Sequence, residues 1–199
     1  MTEGESKAWE RLSKAEPVAI CKGASVQFDA ETYSYKILSF GLEFTVSLKD
    51  RKISGNSKGS ERLLENPLMY YMFTSLWYLF SAKDIPLSGN LIKPEDVSGG
   101  QLFIQGSHIL PLSDITDRYN NDIEGFINKG VMLNGEKSGY GDVSLRFLPF
   151  PKIPAELILW QGDDEFPAKA SLLFDSTCER HVPVDVLWSI AMMTILMML

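Results

Sequence analysis

The stretch from Ala155 to Asp185, AELILWQGDDEFPAKASLLFDSTCERHVPVD, limits the fold more than any other. Glu156 to Trp160 is a short, mostly apolar run, Gln161-Gly162-Asp163-Asp164 is turn chemistry, and Ala168 to Phe174 is a second apolar run. That order reads as strand, turn, strand. Asp175-Ser176-Thr177 closes the second run with capping and turn residues, and beyond Pro183 the chain is almost wholly apolar to its end. Val184 to Leu199 has only Asp185, Ser189 and Thr194 as polar residues, and four methionines fall in its last eight positions. Left free, that segment would expose a large apolar surface to water. It is also short for a bilayer, with an uncharged run of about 14 residues where about 20 are needed. The expectation is a helix docked on the hairpin's sheet. Met192, Met193, Met197 and Met198 would partly fill irregular gaps and partly face a second subunit, making a homodimer through this helix one expected partner.

Composition narrows the class. At 199 residues the chain reads as a single domain, 1–199, and folding should bury roughly 70% of its unfolded surface. The net charge is −7, and the 19 Lys and Arg are scattered along the chain, with no run longer than the Arg51-Lys52 pair. No basic stripe exists to neutralise a row of phosphates, so nucleic acid is not an expected partner. The acidity also disfavours anionic membranes. Cys21 and Cys178 are far apart in sequence and read first as thiols of a reducing cytoplasm, with a single disulfide as the lesser alternative. The opening MTEGESKAWERL lacks the apolar core of a secretory signal.

Periodicity places the other elements. Glu5 to Ala15 puts Ala8, Leu12 and Ala15 on one helical face, with Pro17 as the stop. Val26 and Phe28 begin a strand, and Tyr33 to Leu48 alternates on both sides of Gly41 as a hairpin. Arg51 to Ser60, polar and rich in Gly and Ser, reads as a mobile loop. Asn66-Pro67 opens a helix to about Ala82 that is apolar nearly all round, hence central and buried. Ile85 to Gly106 reads as loops with a brief strand at Leu102 to Ile104. Pro111 to Tyr119 is a short helix, and Asn121 with Glu124 resembles a capping box for another ending at Gly130. Val143 to Phe147 alternates as a strand, and Pro149, Pro151 and Pro154 should keep the chain extended and unpaired. Together these elements predict an α+β fold: a mainly antiparallel sheet, a central buried helix and a C-terminal helix packed on it.

Few residues carry chemistry. Asp163-Asp164-Glu165 supplies adjacent carboxylates, suited to a hard cation or to acid–base work, or equally to a solvated hairpin tip. His108 and His181 are the only histidines, and His181, after Glu179-Arg180, reads as exposed. Cys178 and His181 are close enough to suggest a thiolate pair but lack a visible orienting third residue. Ser88-Gly89 and Gly99-Gly100 offer backbone N–H groups without any phosphate-loop pattern. The charge of Lys83 complements a helix C-terminus, and Asp175 should accept backbone N–H groups as a cap.

Trp160, Gly162, Asp164-Glu165-Phe166-Pro167, Leu173-Phe174-Asp175 and Pro183 followed by Asp185 are similar to the C-terminal signature of a bacterial and archaeal family, domain of unknown function 3786. Ala82-Lys83, Ile85-Pro86-Leu87-Ser88-Gly89 and Gly99-Gly100 before Phe103 resemble that family's middle region. The likeness spans residues 60–190. Some relatives carry a four-cysteine iron–sulfur domain ahead of this region and occur in anaerobes, which implies a place near metallocofactor metabolism. This chain lacks that cysteine set. The resemblance and the residue types together nominate Lys83, Ser88, Trp160, Asp164, Glu165, Asp175 and His181 as binding residues, with no metal ligand set and no identified cofactor. Their surface should lie where the Ile85 to Gly106 loops meet the Asp163 to Asp175 hairpin. The leading expectation is a non-catalytic accessory domain that binds a cofactor or partner protein. The alternatives are a small enzyme using Asp164 and Glu165, with His181 or Cys178, and a purely structural oligomerisation protein.

Overall fold

The computed structural model describes residues 3–64 and 70–199; the expected Asn66-Pro67 helix start lies outside them. Helix α1 (Glu3–Lys14) is followed at once by α2 (Pro17–Ala24). Pro17 therefore does more than end α1. It opens a helix the sequence reading did not include, in the first turn, where a missing N–H removes no helical hydrogen bond. Strands β1 (Gln27–Asp29), β2 (Ser34–Ser39), β3 (Leu42–Ser47) and β4 (Lys52–Gly55) then form an antiparallel sheet in that order. The β2–β3 hairpin matches the alternation, with Ile37 opposite Phe44 and Tyr35 opposite Val46, all buried. The supposed mobile loop after Arg51 instead contains β4. β3 has an open edge, Ile53 pairs with Val46 and is buried, and Asn56 bonds Glu43 and Thr45.

After α3 (Glu61–Leu64), helix α4 (Tyr70–Ser81) takes the centre, packed by α1 and α2. Tyr71, Leu76, Tyr78 and Leu79 are buried, whereas Trp77 and Phe80 are half-buried under the Arg11 guanidinium of α1, 5.7 and 4.7 Å from their ring centres. Strand β5 (Leu91–Ile92) leads into 3-10 turns at Pro94–Asp96, Gly100–Ile104 and Gly106–His108. Leu102 to Ile104 is thus helical, not a strand. α5 (Leu112–Tyr119) lies where expected, and α6 (Ile123–Met132) is capped by Asp122, not Asn121, because Asp122 lies three residues before the Gly125 N–H it accepts at 2.8 Å.

The second sheet completes the chain: β6 (Glu136–Ser138), β7 (Val143–Phe150), β8 (Ile153–Trp160) and β9 (Lys169–Asp175), antiparallel in the order β5-β9-β8-β7-β6. Pro149 and Pro154 lie inside β7 and β8 and not in an unpaired crossing. The ladder tolerates them because its register shifts between Phe147 and Phe150. Leu145, Phe147, Leu157, Leu159, Leu172 and Phe174 face the core from this sheet. Leu157, Leu159 and Phe174 are fully buried in one core, with Trp77 and Phe80 packed at its margin. The two sheets meet where Phe40 N–H donates to the Leu148 carbonyl at 2.8 Å and Ser39 Oγ to the Pro149 carbonyl at 2.7 Å.

The turn α7 (Cys178–His181) leads to α8 (Val184–Met198), which packs against α4 and β7. Met193, Met197 and Met198 are buried, so they serve the core and not a second subunit; Met192 is half-buried beside Trp188 and Leu196. No helix among the described residues is long and apolar enough to cross a membrane. The fold is α+β, with α4 at its centre and α8 docked on the second sheet.

Candidate functional site: a cleft over Glu156

Pairing sets the site. In the second sheet Arg146 of β7 faces Glu136 of β6 on one side and Glu156 of β8 on the other, and Glu156 faces Leu173 of β9. Because alternate strand residues share a face, Ser144, Arg146, Glu156, Leu173 and Asp175 all point away from the helices. A glutamate on that face would ordinarily be wet, yet Glu156 is only 4% exposed. It lies at the bottom of an open cleft of about 440 Å³, walled by Gly89, Leu91 and Asp175 on one side and by Ser138 to Tyr140 on the other.

The β6–β7 loop closes one wall by pressing on the sheet. Gly141 has φ +60, and a Cβ there would lie 2.6 Å from Ile158, so a larger residue has neither the conformation nor the space. Ser144 Oγ accepts the Tyr140 N–H at 2.9 Å and bonds Ser138 Oγ at 2.8 Å, while Ser138 also hydrogen-bonds Glu156. Burial raises the Glu156 pKa, and the Ser138 bond and the Arg146 charge offset this only in part. The cleft floor is therefore a carboxyl that holds a proton more readily than a surface glutamate does.

The opposite wall is tied down by Asp175. Its Oδ1 accepts Ser88 N–H (3.1 Å), Ser88 Oγ (3.0 Å), Thr177 N–H (3.0 Å) and Thr177 Oγ1 (2.7 Å), and its Oδ2 accepts Gly89 N–H (2.8 Å). Burial alone would raise this pKa, but the bonds from Thr177, Ser88 and Gly89 outweigh it and hold it at about 2. Asp175 caps the turn after β9, as its sequence position implies, and also captures the distant Ser88-Gly89 loop. Gly89 adopts φ +77, a conformation that glycine enters freely.

His181 stands behind that wall. The expectation that it is exposed fails: its α7 neighbours Glu179 and Arg180 face solvent, whereas its ring turns inward and is 1% exposed. Nδ1 accepts the Lys83 N–H at 3.2 Å, which places the ring proton on Nε2, and Nε2 is buried without a hydrogen-bond partner among the described residues. Burial, reinforced by the charges of Lys152 and Arg180, pushes its pKa down to about 4. Burial likewise pushes the Cys178 thiol up to about 12, away from the thiolate a nucleophile needs.

The structure thus gathers Lys83, Ser88, Asp175 and His181 at one end of β9. Trp160, Asp164 and Glu165 lie at the other end, about 20 Å away at the usual strand rise. There Lys169 Nζ sits 5.6 Å from the Trp160 ring centre, and Asp163 accepts the Glu165 and Phe166 N–H groups at 2.9 and 2.7 Å. Asp164 and Glu165 themselves are exposed on the hairpin tip. The Ile85 to Gly106 loops adjoin the hairpin through Asp175, Phe174 and the middle of β9, not through its acidic tip. Sequence reasoning missed Glu156, Arg146, Ser138 and Tyr140. The available signal was a lone carboxylate in an otherwise apolar strand, facing a strand that carries a lone arginine. Among the described residues no group of three or more His, Cys, Asp or Glu side chains is placed to hold a metal ion.

The model of a family described as Domain of unknown function (DUF3786) matches residues 16–197, so the likeness reaches upstream of residue 60 to include α2 and the whole first sheet. No curated protein and no solved structure matches the chain.

Proposed function

This chain belongs to the domain of unknown function 3786 family, and from that premise we propose that it is a non-catalytic accessory domain that takes a small polar ligand into the cleft over Glu156. The observation that carries this reading is the placement of a 4% exposed carboxyl beneath an open cleft on the outer face of a sheet. A buried carboxyl opposes folding unless it is fully paired, and an apolar residue would pack there at less cost. Retaining it favours a ligand that bonds to it. Arg146 at the same level offers a planar fork of donors, and Tyr140 offers a hydroxyl at the mouth. The buried Cys178 thiol and the neutral His181 ring favour binding over nucleophilic chemistry. The proposed setting is the cytoplasm of an anaerobe, near metallocofactor metabolism. The family likeness and the free thiols of Cys21 and Cys178 support it.

Native mass spectrometry of the chain purified without oxygen tests the reading. The expected result is a bound small mass that is lost in Glu156→Gln and Arg146→Ala and kept in Asp164→Asn. An empty chain, or a mass that all three variants retain, would sink it.

A further inference from the structure

The charges around the cleft over Glu156 narrow what it binds, an inference that rests on the reading of that cleft as a binding site. Arg146 and Glu156 stand directly opposite each other on β7 and β8, and Arg146 faces Glu136 on its other side. Side chains so placed start about 4.5–5.5 Å apart, close enough for a salt bridge. None forms: among the described residues Arg146 makes no ion pair with either glutamate, and its guanidinium donates no hydrogen bond. Its charge still favours the ionised Glu156 at longer range. Ser138 bonds Glu156 Oε1 and also bonds Ser144. Among the described residues no hydrogen bond reaches Oε2, yet Oε2 is not one of the atoms closed off from solvent. A carboxyl oxygen and a guanidinium fork thus face one opening without binding each other.

The ionisable groups at the cleft are Arg146, Glu156 and Asp175, with Glu136 flanking Arg146. Carboxylates outnumber the guanidinium, so a phosphate or other pure anion meets repulsion, and a favoured ligand brings a positive group of its own. Its negative part then belongs on Arg146, whose fork matches a carboxylate with two parallel hydrogen bonds. We propose that the cleft takes a free α-amino acid as its zwitterion, the ammonium donating to Glu156 Oε2 and the carboxylate accepting from Arg146. The two charged groups of such a molecule share one carbon, which suits opposite charges held on directly opposed residues. Burial disfavours the Glu156 charge, and an ammonium at Oε2 offsets that cost. Leu91 and Pro154 give the cleft an apolar wall, and Tyr140, 48% exposed, gives it an aromatic mouth, so the ligand's side chain is apolar. The cleft volume of about 440 Å³ is of the size that small-molecule sites have.

The probes are L-leucine, L-methionine and L-phenylalanine, titrated by calorimetry into the dialysed full chain. At least one should bind saturably. Its amide, which keeps the ammonium and loses the carboxylate, and its N-acetyl form, which does the reverse, should each bind about tenfold more weakly or worse. Arg146→Ala should weaken the amino acid by about tenfold and leave the amide unchanged; Glu156→Gln should do the same to the amino acid and leave the N-acetyl form unchanged. These crossed losses separate recognition from folding, because a misfolded chain would lose every ligand alike. Failure of all three amino acids to bind would overturn the proposal, as would equal binding of the amide or the N-acetyl form, or amino-acid binding that both variants keep. A co-purified mass that is lost in both variants but is not an amino acid would overturn the ligand class and leave the cleft standing as a binding site.

Discussion

Asp175 Oδ2 accepts the N–H of Gly89 at 2.8 Å across 86 positions of sequence, and this single carboxylate joins the end of β9 to the loop after α4. Asp175→Asn removes the charge and presents an NH2 group to donors that need an acceptor. Bonds to a charged group contribute about 1.5–3 kcal/mol each. The expected loss is roughly 2–4 kcal/mol in urea unfolding, with faster hydrogen exchange at Ser88 and Gly89. Asp164→Asn, on the exposed tip, should change stability by less than about 0.5 kcal/mol.

His181 links stability to pH. Its folded pKa of about 4 lies below its ordinary 6.5, so the fold favours the neutral ring. The unfolded chain binds a proton that the folded chain refuses. Stability should therefore be fully present above pH 6.5 and fall as the pH drops toward 4. Asp175 adds a separate loss between its ordinary 3.8 and about 2. His181→Asn keeps an acceptor for Lys83 and should remove the first slope while leaving the second, read by urea unfolding at a series of pH values.

Glu156 should oppose folding at neutral pH. Its folded pKa is raised above the ordinary 4.5, so the stabilising protonated form is fully present below 4.5 and is lost as pH rises through the folded value. Glu156→Gln should melt higher than the parent at pH 7, and the two curves should converge below pH 4.5. A lower melting temperature for the variant at pH 7 would contradict a desolvated carboxyl. Gain of stability together with loss of a bound ligand is the pattern of a residue kept for binding.

Tyr78 of α4 donates its hydroxyl to the Ala24 carbonyl at 2.7 Å and accepts the Lys152 N–H at 3.1 Å, joining α2 to the β7–β8 turn. Tyr78→Phe leaves both groups without this partner in a buried setting. The expected loss is about 1–3 kcal/mol. Thermal unfolding measures it, with exchange at Lys152 as the local readout.

Local pattern accounts for much of the architecture. The alternation from Tyr33 to Leu48, the two apolar runs around Gln161 to Pro167 and the all-round apolar surface of α4 and α8 each match one backbone period, and each forms as read. Periodicity reports which side of an element avoids water. It is silent where the deciding partner is remote: the KISG segment that becomes β4 is short and polar, and only the open edge of β3 makes it a strand.

The candidate site divides along the same line. Asp175 as a cap, and Ser88-Gly89 as a turn beside it, could be read from residue type, because a carboxylate and a φ-permissive glycine have few other uses at such positions. The burial of His181 could not be read, because it depends on how a four-residue turn rolls against the end of α4. Nor could the cleft, because β8 is buried on both faces and the alternation that would mark Glu156 as outward-facing is erased. Most of the elements and their inward faces follow from local periodicity alone, which each segment carries in its own residues. That Glu156, Arg146, Ser138 and Asp175 share one cleft depends instead on cross-strand register, which contacts between segments far apart in the chain set.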